Sequence, residues 1–253
     1  MDALLTPEAL ISLITLTFME IVLGVDNIIF ISIVAAKLPK EQEVRARNIG
    51  LSLALLFRIG LLLMITWIIG LQEPLFTLPL EGLYQKLGME HTREAAEISW
   101  RDIILFCGGL FLLAKSTTEI HSKLEGHVET KDAGKKNAMA MVVFQIILLD
   151  MIFSIDSILT AIGLVQQVAI MIVAVIISIG MMLLFAGKIS TFINRHPTIK
   201  MLALAFLLMI GFMLMLEGLA FHVPKGYIYV AIFFSLGVEL LNMRMRKASA
   251  KAQ

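Results

Sequence analysis

Long apolar blocks alternate with short polar segments along the whole chain. A membrane-spanning helix needs roughly 20 predominantly apolar residues. Seven stretches meet that requirement, at approximately residues 8–36, 48–71, 102–121, 138–164, 168–187, 199–221 and 226–243. The pattern therefore predicts an all-α integral membrane protein with seven transmembrane helices. No Ser-, Gly- or Pro-rich linker interrupts it, so we expect one transmembrane domain over residues 1–253.

The ends of the apolar blocks carry helix-boundary signals. All six prolines lie at or outside the block edges, as expected because proline lacks the N–H group that a helix interior needs. Ser99 and Asp102 have the spacing of a capping box before the third block. Residues 1–16 contain no Lys or Arg, whereas a cleavable signal peptide begins with a basic region. We expect the first block to be retained as a helix.

Composition excludes several classes of protein. Hydrophobic residues make up 58% of the chain and charged residues 16%, against about 45–50% and about 25% in soluble domains. The net charge of +1 argues against a nucleic-acid partner. The single cysteine, Cys107, cannot form an internal disulfide. No metal-hydrolase helix motif, nucleophile elbow or phosphate loop is found, so we do not expect an enzyme.

The distribution of basic residues predicts the orientation. Fifteen Lys and Arg residues fall in the 1–2, 3–4 and 5–6 connections and the C-terminal tail, and only four fall on the opposite side. Basic residues favour the cytoplasmic side of a membrane. The N-terminus is therefore predicted to lie outside and the C-terminus in the cytoplasm, as an odd number of spans requires.

The first and fourth blocks resemble each other. The sequence EIVLGVDNII at 20–29 and the sequence DMIFSIDSIL at 150–159 share the order acid, small residue, acid, polar residue. Weaker matches join the second block to the fifth and the third to the sixth: FRIG at 57–60 with ISIG at 177–180, and GLFLLAK at 109–115 with GFMLMLE at 211–217. The chain is thus predicted to contain two inverted three-helix repeats, at about 8–121 and 138–221, followed by a final helix at 226–243. Inverted repeats are typical of transporters with a site at the midplane.

Ionisable residues inside the apolar blocks are the candidate functional groups, because burying a charge in a membrane is costly. Acidic groups outnumber basic groups there, since only Arg58 and Lys115 are basic. The acidic ones are Glu20, Asp26, Asp150, Asp156 and Glu217. The excess of negative charge predicts a cation site or a proton path and not an anion site.

Helix geometry defines the predicted cation site. Residues six apart on a straight helix differ by about 120° and about 9 Å along the axis, so Glu20 and Asp26 would not face one ligand. Unwinding at Gly24 and at Ser154 would bring each pair together, and irregular backbone is tolerated where it lines a cavity. Asn27 and Ser157 return to the face of the first acid of each pair. The predicted metal ligands are Glu20, Asp26, Asn27, Asp150, Asp156 and Ser157.

An all-oxygen ligand set favours Mn²⁺, Mg²⁺ or Ca²⁺ over Zn²⁺ or Cu⁺. We expect the metal to be a transported ion and expect no permanently bound cofactor.

Alternative interpretations remain open at this stage. The buried acids can simply form ion pairs with Arg58 and Lys115, and Asn27 and Ser157 can serve helix packing. Lys115 and Glu217 are interpreted as gating or neutralising charges, or as a structural ion pair. Arg58 is interpreted as a buried counter-charge.

Four segments resemble the TerC family of bacterial membrane proteins. They are EIVLGVDNII at 20–29, ISWRDIILFCGGLFLL at 98–113, DMIFSIDSIL at 150–159 and HVPKGYIY at 222–229. The resemblance implies an inner-membrane protein related to a superfamily that includes lysine exporters, with some members associated with manganese efflux and some with metalation of exported enzymes. The family's key acids correspond to Glu20, Asp26, Asp150 and Asp156.

Three candidate functions can be compared with these sequence features. Export of a divalent cation, most of all Mn²⁺, by alternating access agrees with the buried acids and with the resemblance. A membrane assembly, metalation or scaffold factor is the main alternative, and it would depend on loops that are mostly short here. A retinal protein would need a lysine deep in the last helix, and none lies between Tyr227 and Asn242. The oligomeric state cannot be predicted from these features.

Overall fold

The structure is a computed structural model that describes residues 6–77, 97–125, 135–165, 167–221 and 224–251. The helices and strands, in chain order, are α1 Pro7–Ala35, α2 Lys40–Leu63, α3 Ile65–Gly70, β1 Pro74–Thr77, β2 Glu97–Ser99, α4 Trp100–Leu124, α5 Lys135–Leu164, α6 Val168–Arg195, α7 Pro197–Glu217 and α8 Lys225–Lys251. Strands β1 and β2 pair antiparallel. Within the described residues, all of the helices except α3 are long and apolar enough to cross a membrane, which makes seven. The prediction of an all-α membrane protein with seven spanning helices is confirmed.

The helix boundaries differ from the predicted blocks where polar residues continue a helix. The second block was expected at 48–71, but α2 begins at Lys40 and ends at Leu63. Met64 has φ −95° and ψ 30°, which interrupts the helix before α3 continues to Gly70. Helices α6 and α8 extend well past their apolar blocks, to Arg195 and Lys251. Hydropathy marks the apolar part of a helix and not its ends.

The predicted capping box forms at the start of α4. The Asp102 carboxylate accepts a hydrogen bond from the Ser99 backbone N–H at 2.9 Å, and the Ser99 hydroxyl oxygen accepts one from the Asp102 N–H at 3.3 Å. The Arg101 N–H donates to the Leu71 carbonyl at 3.0 Å. These bonds place Arg101 in the first helical turn, next to the segment that follows α3.

Each helix of the bundle has one main packing partner. Helix α1 packs chiefly against α6, α2 against α5, and α4 against α7. The sequence alignment relates α1 to α5, α2 to α6 and α4 to α7. If each helix is replaced by the helix aligned with it, the contact of α1 with α6 becomes the contact of α5 with α2, and the contact of α4 with α7 is unchanged. Two units related by a two-fold axis would give this arrangement, and the inversion of the repeats stays a prediction. Helix α8 packs mainly on α7 and is the most exposed of the spanning helices.

Helices α1 and α5 are continuous through Gly24 and Ser154, the two positions at which unwinding would have brought each pair of acids together. A side chain at Gly24 would overlap the Met182 methyl group, so this glycine permits close packing of α1 on α6. Ser154 is fully buried, and its hydroxyl binds Arg58 and Asp150. Both small residues serve packing or side-chain hydrogen bonding while the helical backbone stays intact.

A pair of glycines brings α4 and α7 into backbone contact. A Cβ atom at Gly109 would lie 2.5 Å from the Gly211 carbonyl oxygen and 2.6 Å from the Met215 nitrogen. Both of these neighbours are backbone atoms, so the helices themselves would have to move apart to accommodate a side chain. Small residues at such crossings allow close helix packing in membranes.

We expect Gly109→Ala to destabilise the protein by about 1–3 kcal/mol, the range typical of overpacking. Gly60→Ala is the matched control, because a Cβ there meets nothing within 4 Å. Thermal unfolding of the two variants in the same detergent measures the difference. Equal unfolding temperatures for the two variants would contradict the close contact.

Candidate cation site

Arg58 of α2 is the centre of the first buried cluster. Its Nη1 donates to Glu20 Oε2 at 2.6 Å, and its Nε donates to Ser154 Oγ at 2.8 Å. Its Nη2 lies 3.6 Å from Asp150 Oδ1. Arg58 is 2% exposed. It therefore acts as the counter-charge that links α1, α2 and α5, and Glu20 and Asp150 are in ion pairs with it.

Asn27 extends this cluster along α1. Its side-chain nitrogen donates to Asp150 Oδ1 at 3.3 Å, and Ser154 Oγ donates to Asp150 Oδ2 at 3.2 Å. Asn27 is buried, and its amide oxygen Oδ1 has no hydrogen-bond partner among the described residues. The orientation of the amide follows from the hydrogen bond to Asp150. A buried amide oxygen without a protein partner is available to bind a water or a cation.

The second cluster is centred on Arg101. Its Nη2 lies 3.0 Å from Asp156 Oδ1 on α5 and 3.0 Å from Glu217 Oε1 on α7. The second oxygen of the buried Glu217 carboxylate, Oε2, has no hydrogen-bond partner in the described part of the chain. Three helices, α4, α5 and α7, thus meet at one guanidinium group.

A small cavity of about 40 Å³ separates the two clusters. Its polar lining consists of Asn27, Arg58, Asp156 and Ser157, and the other lining residues are mainly apolar. The Ser157 hydroxyl donates to a backbone carbonyl oxygen at 3.3 Å, which leaves its own oxygen free to accept or to bind a cation. A single water molecule needs roughly 10–15 Å³ of cavity volume measured in this way. The cavity can therefore hold one ion with a small number of waters.

The structure divides the predicted ligand set. Asn27, Asp156 and Ser157 line the cavity, whereas Glu20 and Asp150 belong to the Arg58 cluster. The backbone of Asp26 lies in α1, and its side chain is outside the described residues. Among the His, Cys, Asp and Glu side chains that the structure describes, no three converge on one metal position.

Two residues of the site were missed by the sequence analysis. Arg101 was counted with the outer basic residues, although the capping box could have placed it in the first turn of α4. Tyr229 of α8 lines the cavity; it is the last residue of the HVPKGYIY segment at 222–229, for which no site role was predicted. Lys115, expected to pair or to gate, is half-buried on α4. Glu217, predicted as a gating or neutralising charge, is in an ion pair with Arg101.

Another ion pair lies near the opposite end of α4. Lys37 Nζ lies 2.6 Å from Glu119 Oε2. The Glu119 side chain is 9% exposed and that of Lys37 24% exposed. This pair ties the end of α4 to the segment that follows α1, so α4 is held by an ion pair at each end.

Comparisons with known proteins place the chain among membrane proteins. A family model described as "Integral membrane protein TerC family" matches residues 5–253. The chain is 47% identical over 241 residues to the "UPF0053 inner membrane protein YgdQ" of Escherichia coli K12, with 95% of each chain covered. It is 46% identical over 243 residues to a "UPF0053 protein" of Haemophilus influenzae, covering 95% of this chain and 96% of the relative.

A longer relative shares the same region. The chain is 44% identical over 248 residues to the "UPF0053 inner membrane protein YoaE" of Escherichia coli K12, and the match covers 98% of this chain but 45% of that protein. No solved structure matches the chain.

Proposed function

Because the chain belongs to the TerC family of integral membrane proteins, we propose that it is a transporter that exports a divalent metal cation, with Mn²⁺ favoured, across the bacterial inner membrane. Relatives that match nearly the whole chain are named inner membrane proteins. The seven spanning helices and the buried charged clusters agree with transport. The predicted orientation, with the N-terminus outside, is part of the proposal.

The cavity between the clusters is the observation that carries the proposal. It offers the Asp156 carboxylate, the Ser157 hydroxyl oxygen and the Asn27 amide oxygen, for which the described residues provide no hydrogen-bond donor. Hard oxygen ligands of this kind suit Mn²⁺, Mg²⁺ and Ca²⁺. Asp26, which shares its motif with Asn27, remains a candidate ligand from the sequence. Glu20 and Asp150 would not bind the ion directly; they would hold Arg58 and Asn27 in position.

The charge balance of the two clusters supports a divalent ion. Among the described residues the two clusters hold more carboxylates than guanidinium groups: Glu20, Asp102, Asp150, Asp156 and Glu217 against Arg58 and Arg101. If all groups are ionised, the negative charges exceed the positive ones. An excess of charge is costly inside a membrane, and a bound dication would offset part of it.

The two arginines explain how the protein can remain folded between transport events. A guanidinium group occupies each acidic cluster when no metal is bound, and an arriving cation competes with it for the carboxylates. Asp156 is the shared group, because it lines the cavity and also binds Arg101. In this scheme the ion is exchanged for an arginine, and the buried acids are never left without a positive partner.

We expect Mn²⁺ to raise the unfolding temperature of the purified protein, since a ligand that binds only the folded state adds about 2.7 kcal/mol of stability at 100 times its Kd. Ser157→Ala should weaken the effect, because it removes one oxygen ligand from the cavity. Thermal unfolding in detergent, with Mn²⁺, Mg²⁺ and Ca²⁺ titrated separately, makes the measurement.

Glu41→Gln is the control for this titration, because Glu41 is exposed at the start of α2. It should respond to Mn²⁺ as the wild type does. If none of the three ions shifts the unfolding temperature of the wild type, the cavity is not a divalent cation site.

A further inference from the structure

An apolar groove of about 290 Å³ lies among α1, α6, α7 and α8. Its lining is aliphatic or aromatic throughout, and Tyr229 is the one lining residue with a polar group on its side chain. Ala203 and Phe206 of α7 are buried walls of the groove, whereas Phe192 and Phe233 are 39% and 68% exposed. The groove is therefore open to the medium that surrounds the bundle.

The position of the groove determines what can fill it. All four of its helices are long and apolar enough to span a membrane, so the surrounding medium is lipid. Water needs two or more polar partners to occupy a cavity, and this lining offers a single hydroxyl group. The lining residues of α1, α7 and α8 fall at 22–29, 199–206 and 229–236, and each of these intervals rises about 10 Å along its helix. An elongated apolar groove of this length suits a segment of an acyl chain.

A basic surface on α6 adjoins the groove. Phe192 lines both, and Lys188 and Arg195 also line the basic surface. These two basic residues are exposed, and they lie seven positions apart, which puts them on one face of the helix. No Asp or Glu occurs anywhere between Asp156 and Glu217, so the sequence of α6 and of the following segment supplies no counter-charge. An anionic group is the complement of this surface.

An acid of α8 lies near the same end of the groove. Glu239 is one turn beyond the lining residue Leu236, and its carboxylate accepts a hydrogen bond from the Thr198 side chain at the start of α7. It also interacts with Arg246 of its own helix. The charge of Glu239 thus has partners on α7 and α8, and the basic surface of α6 stays available to an anion.

We propose that the groove and the basic surface together bind one anionic phospholipid, with an acyl chain in the groove and the phosphate at Lys188 and Arg195. Basic pockets beside spanning helices suit anionic lipid head groups. The bound chain would fill the space between α8 and the rest of the bundle. It would also pack against Tyr229, which lines the cation cavity as well. The lipid site does not depend on the transport of any ion.

Thermal unfolding with two lipids that differ only in their head groups tests the proposal. The purified full chain in an uncharged detergent is titrated with dioleoyl phosphatidylglycerol or with dioleoyl phosphatidylcholine. We expect the anionic lipid to raise the unfolding temperature at lower concentration. The double variant Lys188→Gln/Arg195→Gln should weaken its apparent affinity about 25-fold, at about fivefold for each basic residue near a lipid head group. Inorganic phosphate should give no shift, because it lacks the acyl chain.

Lys40→Gln/Arg45→Gln is the matched control, because it removes two exposed basic residues from α2. It should keep the wild-type affinity for phosphatidylglycerol. Equal shifts with the two lipids, or equal affinities in the two double variants, would overturn the proposal and leave only non-specific lipid contacts.

The acyl-chain half of the site has its own test. Ala203→Phe fills the groove from its buried wall and should weaken stabilisation by both lipids. If this variant does not fold, photolabelling of the wild type with a phosphatidylglycerol that carries a diazirine on its acyl chain decides the question. We expect labelled peptides from the groove segments of α7 and α8. Unchanged stabilisation of Ala203→Phe, or labels spread evenly over the spanning helices, would contradict an acyl chain in the groove.

Discussion

Asp156→Asn should abolish the lowering of cellular Mn²⁺ by this protein. The substitution keeps the shape of the side chain and removes the negative charge from the cavity between the two arginines. A hydrogen bond or contact that involves a charged group is worth about 1.5–3 kcal/mol, and each 1.4 kcal/mol is about tenfold in affinity. We therefore expect Mn²⁺ binding to weaken at least about tenfold and net export to fall with it.

The measurement is Mn²⁺ accumulation in cells that lack their own manganese exporters, with wild-type and variant proteins present at matched levels in the membrane. Asp26→Asn is expected to behave like Asp156→Asn, on the basis of the sequence repeat. Glu41→Gln, an exposed acid, should lower Mn²⁺ as well as the wild type does. Full activity in both neutral variants would reject the carboxylate site and favour the assembly or scaffold alternative.

Arg58→Gln should cause the largest loss of stability. It would leave Glu20 and Asp150 buried without their counter-charge, and breaking one side of a buried ion pair costs about 3–5 kcal/mol. Adding Glu20→Gln to this variant removes one of the two orphaned charges. The double variant should therefore be more stable than Arg58→Gln alone, which is the non-additivity expected of groups in one network.

Thermal unfolding in a single detergent compares these variants. Arg45→Gln is the matched control, because Arg45 lies on the same helix and is exposed; its unfolding temperature should equal that of the wild type. If Arg58→Gln were as stable as Arg45→Gln, the buried cluster would not contribute to the fold as described.

Apolar block length was enough to predict the spanning helices. In lipid, the backbone N–H and C=O groups must all be hydrogen-bonded within the spanning segment, which a helix achieves. A long apolar block therefore predicts a spanning helix directly. The capping box was predictable because it is a local feature: Ser99 and Asp102, which form it, lie within one helical turn. Helix ends were not predictable from hydropathy, as the polar extension of α6 to Arg195 shows.

The side-chain partners in the site could not be predicted from spacing alone. Arg58 was expected as a counter-charge, but its pairing with both Glu20 and Asp150 depends on how α1, α2 and α5 pack. Whether α1 unwinds at Gly24 could not be predicted, because the pattern "acid, small residue, acid" also suits a continuous helix in which the small residue makes room for Met182. Arg101 was missed because its partners lie 55 and 116 residues away along the chain.

Mn²⁺ flux into proteoliposomes that contain only this protein is the most direct test of the central claim, that the cavity carries a divalent cation across the membrane. Our account predicts flux in wild-type vesicles, at least about tenfold less in Asp156→Asn vesicles, and wild-type flux in Glu41→Gln vesicles. Absence of flux for Mn²⁺, Mg²⁺ and Ca²⁺ in vesicles with correctly folded wild-type protein, or equal flux through Asp156→Asn, would contradict it.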